Sequence, residues 1–109
     1  TEEYNGTAWT GGGALNTGRV NLAGAGLQTA GLAFGGTLAS GAPTAVTEEY
    51  DGSSWTNTGS LTSATRNLAG AGTQTAALGF GGESGASPYT VATEEFTGGG
   101  PATLTVGTD

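Results

Sequence analysis

Short apolar or alternating runs separated by turn residues set the pattern of this chain, and that spacing predicts β-strands rather than helices. One run covers Asn21 to Leu27, and a second covers Ala30 to Phe34, closing on Gly35-Gly36. A Ser/Gly/Ala/Pro-rich loop from Thr37 to Pro43 leads to a third run, Thr44 to Tyr50, after which Asp51-Gly52 turns the chain back into Ser54-Trp55-Thr56. Asn5-Gly6 holds the corresponding place near the start. Asn-Gly or Asp-Gly between strands is the strongest short-range hairpin signal, so a hairpin is predicted at both places.

The pattern returns with a spacing of 46 residues. Thr1-Glu2-Glu3-Tyr4 recurs as Thr47-Glu48-Glu49-Tyr50 and as Thr93-Glu94-Glu95-Phe96, and Trp9 recurs as Trp55. Asn21-Leu22-Ala23-Gly24-Ala25-Gly26 matches Asn67-Leu68-Ala69-Gly70-Ala71-Gly72, and Phe34-Gly35-Gly36 matches Phe80-Gly81-Gly82. A unit of roughly 40–50 residues carrying four strands is the size of a propeller blade. The expected fold is therefore all-β, a propeller segment of four-stranded antiparallel blades. Residues 1–19 would supply the outer strands of one blade, 20–58 a full blade, and 66–109 a second blade with a divergent last strand at Ala102 to Val106. Tyr4, Trp9, Phe34, Tyr50, Trp55, Phe80 and Phe96 recur in register and are predicted as core.

Composition narrows the chemistry. The 109 residues include 23 glycines and only 10% charged residues, a make-up that reads as disordered unless a repeat organises it. Nine acidic residues against two basic ones, Arg19 and Arg66, give a formal net charge of −7, which argues against nucleic acid and anionic membranes as partners. No apolar run approaches the ~20 residues that span a bilayer, so membrane insertion is not expected. The chain begins with Thr, as a fragment or a processed product would, and the repeat degenerates after Phe96 as at the end of an array.

In order along the chain, a glycine pair closing a strand, a Tyr-Asp, a Trp and then an Arg resemble the Kelch repeat; here they are Gly35-Gly36, Tyr50-Asp51, Trp55 and Arg66, with Gly81-Gly82 opening the next round. Spacing departs from the usual motif: the loop after the glycine pair is long, and Arg19 sits one place before the position matching Arg66. The near-duplicated texture looks like the Kelch-type repeats of phage and other viral appendage proteins. That resemblance implies an extracellular or virion location and a structural propeller used in assembly or host-surface attachment. Its partners would be further blades of the same parent chain, copies of itself, other virion proteins or surface glycans. Propellers typically close with 4–8 blades, and about two and a half are present, so neighbouring blades are expected.

Catalysis lacks parts. Without His or Cys, neither a Ser-His-Asp triad nor a Cys-His pair can be assembled, so no catalytic, cofactor or metal site is expected. The repeated Glu pairs, Glu2-Glu3, Glu48-Glu49 and Glu94-Glu95, read as one carboxylate reaching solvent and one packing between blades, where it needs Arg19, Arg66 or backbone N–H partners. A ligand surface belongs on the loops where the copies differ most, Thr37 to Pro43 and Glu83 to Tyr89. Thr37, Ser40, Glu83, Ser84 and Tyr89 are the candidate contacts for a lectin-like module or a piece of a secreted carbohydrate-active protein.

Overall fold

The structure is a computed structural model and describes residues 1–85 and 89–97, together with the backbone of 103–106. Among these residues it is all-β, with every strand pair antiparallel and no helix. A first hairpin pairs β1 (Glu2–Tyr4) with β2 (Trp9–Gly11). A four-stranded sheet follows in the order β3 (Ala23–Leu27), β4 (Ala30–Phe34), β5 (Thr47–Tyr50), β6 (Trp55–Thr58). The short β7 (Thr65–Arg66) pairs with β10 (Glu83–Ser84). The second four-stranded sheet runs β8 (Ala69–Thr73), β9 (Ala76–Phe80), β11 (Thr93–Thr97), β12 (Thr103–Val106). The first four-stranded sheet is thus a meander of consecutive strands, and in the second β10 leaves the succession to pair with β7. The predicted last strand lies at the outer edge, and Ala102 falls outside the described residues.

The hairpin turns form where Asn-Gly and Asp-Gly predict them, by a different device. Tyr4 pairs with Trp9 and Tyr50 with Trp55, so four residues rather than two form each loop. Only the glycine of each dipeptide, Gly6 at φ 99° and Gly52 at φ 98°, is left-handed, whereas a type I′ turn needs both central residues there. The Asn or Asp instead caps the loop: Asn5 Oδ1 accepts the N–H groups of Thr7 and Ala8, each at 2.9 Å, and Asp51 Oδ1 accepts those of Ser53 and Ser54, each at 2.8 Å.

Two sheets meet through one aromatic ring. Phe34 and Leu32 share a face of β4 with Ala23 and Ala25 of β3, because residues two apart on a strand point the same way. This face packs on the opposite kind of face of the second sheet, where Gly70 pairs with Gly79 and Ala77 with Phe96. A Cβ at Gly70 would lie 2.5 Å from Phe34 Cζ, and one at Gly79 2.7 Å from Phe34 Cε2, so the ring occupies the space that two side chains would need. Bare backbone also lets β3 and β8 approach, the missing Cβ of Gly70 being 3.0 Å from the Gly24 carbonyl oxygen. Leu61 closes the core between the sheets.

Phe34, Tyr50 and Phe96 are buried as predicted, and Trp55 is half-buried. Tyr4, Trp9 and Phe80 are not core: they are 48%, 65% and 40% exposed. Position in the stack explains this. Tyr50 and Trp55 lie under the first hairpin and the segment after it, whereas Tyr4 and Trp9 carry the same pairing on an outer hairpin with no sheet before it. Phe80 and Leu78 repeat Phe34 and Leu32 one sheet later, on a face that no further sheet covers among the described residues, and their exposure rises from 3% and 2% to 40% each.

Phe34→Ala is expected to cost about 3–5 kcal/mol in urea unfolding, as for a fully packed aromatic, and Phe80→Ala much less. Gly79→Ala should cost about 1–3 kcal/mol by overpacking against Phe34. Equal losses at Phe34 and Phe80 would contradict the one-sided packing.

Candidate functional site

The most built polar site of the chain is a buried carboxylate facing an incoming loop. Glu48 lies on β5 between Thr47 and Glu49, and alternation along the strand sends its side chain to the face opposite Phe34. It is completely buried. One oxygen accepts the backbone N–H of Asn16 at 2.8 Å; the other accepts Thr17 N–H at 3.3 Å and meets Arg19 Nη2 at 3.2 Å. The guanidinium also donates to the carbonyls of Gly35, Val46 and Ala33, so it ties three points of one sheet to a carboxylate with both side chains out of water. Burial pulls Arg19 below its ordinary pKa, and Glu48 pushes it back up. Arg19 Nε remains buried without a hydrogen-bond partner among the described residues.

Glu94 repeats the carboxylate. It is 7% exposed and accepts Thr62 N–H at 2.6 Å. Glu2, at the same position on the first hairpin, is exposed. The other member of each pair plays a lighter part: Glu3 accepts the Tyr50 hydroxyl at 2.6 Å, which holds that phenol above its ordinary pKa. Inward carboxylates with backbone N–H and Arg19 partners follow the sequence expectation. Arg66 does not share that role. One place further along an extended chain reverses the direction of a side chain, and Arg66 Nη1 instead reaches outward to the Gly41 carbonyl at 3.2 Å.

A second polar device crosses between neighbouring layers. Gln74, in the β8–β9 turn, donates to the carbonyls of Tyr50 at 2.7 Å and Gly31 at 3.0 Å; Gln28, in the β3–β4 turn, donates to that of Tyr4 at 3.0 Å. The two glutamines lie 46 residues apart and hold equivalent partners, Tyr4 and Tyr50. Sequence reasoning missed them. Their recurrence beside the TA pair of each turn was the available signal.

The glycine pairs belong to the turn after β4 and β9. Gly35 and Gly36 have φ of 69° and 109°, and Gly36 N–H donates to Thr65 O at 2.8 Å, threading the second unit onto the first. Gly81 and Gly82 repeat the left-handed backbone at 73° and 89°.

The candidate ligand loops are more constrained than their composition predicts. Thr37 forms an antiparallel bridge with Val20, and its Oγ1 is buried without a hydrogen-bond partner among the described residues. Glu83 and Ser84 form β10, and Glu83 accepts Asn67 Nδ2 at 2.6 Å. Ser40 is exposed at the tip of a tight loop in which Leu38 N–H donates to Ala42 O at 2.9 Å. Gly85 comes against Pro43, so the two loops lie side by side. Tyr89 is 79% exposed, and 86–88 lie outside the described residues. Among the described residues, no three His, Cys, Asp or Glu side chains cluster closely enough to hold a metal.

Arg19→Met leaves Glu48 buried without its counter-charge and should cost about 3–5 kcal/mol, whereas Arg66→Met should stay within about 0.5 kcal/mol. Thermal unfolding of the two variants checks the contrast. The Asp51 carboxylate is held below its ordinary pKa by the N–H groups of Ser54 and Ser53. Because the folded value is the lower one, its stabilisation is complete above the unfolded value of about 3.9 and fades as pH falls below it. Asp51→Ala should therefore be less stable than the parent at neutral pH, with the gap closing in strong acid. Compared with known proteins, the chain matches no family model and no curated sequence.

Proposed function

We propose that this chain is a run of Kelch-like propeller blades whose role is structural: it stacks with further copies of the same unit to build or display an assembly. The virion appendage implied by the sequence resemblance is the setting that suits such a module. The observation that carries the reading is the pair of unlike ends. At one end, Leu78 and Phe80 present the face that Leu32 and Phe34 bury internally; at the other, Gly24 lies open where its counterpart Gly70 receives a ring. A Cβ at Gly24 would approach only the Leu32 carbonyl of its own sheet, at 3.3 Å.

Unlike ends favour head-to-tail contacts, which give rings when the rotation closes. Blades that each contact only their neighbours gain stability unit by unit and leave terminal faces in need of cover. The charged groups support the same reading. Glu48 and Arg19 are consumed in a joint within the stack, and the second buried carboxylate, Glu94, already takes a loop N–H. Glu48 and Arg19 are thereby committed to holding the chain together.

Sedimentation velocity and native mass spectrometry of the 109-residue chain test the proposal. A concentration-dependent series of oligomers is expected, collapsing to monomer in Phe80→Asp, which places a charge on the uncovered face. A parent chain that stays monomeric throughout, or a Phe80→Asp variant with the same oligomers, would overturn it.

A further inference from the structure

Arg19 fills a seat whose counterpart in the second sheet holds no charged partner for its carboxylate among the described residues. Its four acceptors are the carbonyls of Ala33, Gly35 and Val46 and the carboxylate of Glu48. Forty-six residues later these are Gly79, Gly81, Ala92 and Glu94, and the position of Arg19 itself is Thr65. All five line a single cavity of about 150 Å³. That is far more than the ~10–15 Å³ that one water needs.

Two bonds of the frame repeat. Gly81 N–H donates to Ala92 O at 3.3 Å as Gly35 N–H donates to Val46 O at 3.1 Å, and Glu94 accepts Thr62 N–H as Glu48 accepts Asn16 N–H. Arg66, one place after Thr65, points away to Gly41 and leaves the seat to the short threonine.

We propose that this cavity is a binding site for a guanidinium group. A carboxylate more than nine-tenths buried calls for a compensating positive charge. The acceptor layout selects the shape of that charge. In the filled seat Nη1 serves Gly35 and Val46 while Nη2 serves Ala33 and Glu48, so the four acceptors divide between two coplanar nitrogens. A planar fork meets that division, and a compact ammonium ion, with three donors on one nitrogen, does not. The guanidinium comes either as a small free cation or as an arginine side chain offered by another polypeptide. The correspondence between the two sheets supports this site independently of the proposed stacking.

The test is thermal unfolding of the 109-residue chain in guanidinium chloride held far below denaturing concentrations, against sodium and ammonium chlorides at equal ionic strength. Guanidinium alone is expected to raise Tm and to saturate, as a ligand of the folded state must. Thr65→Arg should raise Tm without added ligand and abolish the response, and Glu94→Gln should fold but lose the response. A short arginine-containing peptide separates the sources: stabilisation by the peptide marks a seat reached by a partner's side chain, and stabilisation by the free ion alone marks a small-cation site. No rise beyond the control salts, an equal rise with ammonium, or an undiminished response in Thr65→Arg would overturn the proposal.

Discussion

The stack depends on one contact, an aromatic ring laid on bare backbone. Phe34 reaches across from β4 onto Gly70 and Gly79, and the absence of two Cβ atoms brings the sheets close enough for Leu32, Ala77 and Phe96 to complete a core. A chain with so few large side chains cannot fill a wide gap between sheets, so the gap must be narrow. High glycine content, which in another arrangement would favour disorder, here makes close approach feasible. The conformational cost of ordering so much glycine is offset by burial only where sheets face one another.

Polar groups then fix which sheet meets which loop. Burying Arg19 with Glu48 adds little net stability compared with an apolar pair of the same size, because desolvation offsets attraction. Its value lies in matching: a carboxylate that accepts two loop N–H groups and a guanidinium permits one register of the segment 16–19 against β5. The glutamines at 28 and 74 act similarly at the β-turn end of the layers, each spanning to the preceding tyrosine carbonyl. Side chains of modest number thus specify an arrangement that apolar area alone would leave loose.

Strand positions, the two hairpins and the inward carboxylates were legible in the sequence because they follow from local rules: period-two alternation, Asx-Gly turns, and a charged group paired where it is buried. The exposure of Tyr4, Trp9 and Phe80 was not legible. A side chain's periodicity names the face it occupies, and only a neighbouring sheet decides whether that face is covered. Arg66 misled for a related reason, since a shift of one residue on an extended chain turns a side chain to the other face, and Arg19 held the inner place. The two-residue pairing of β7 with β10 carries too little pattern to be seen in advance, so Glu83 and Ser84 read as loop.

The second four-stranded sheet completes the first through the aromatic-on-glycine contact, and Leu78 and Phe80 offer the same contact to a following unit. The most direct measurement is urea unfolding of the 109-residue chain beside a chain carrying one more 46-residue unit after the second sheet. The account predicts a higher midpoint and a larger m-value, since the added unit buries Leu78 and Phe80 and exposes more surface on unfolding. An unchanged midpoint, with the added unit unfolding independently, would contradict it.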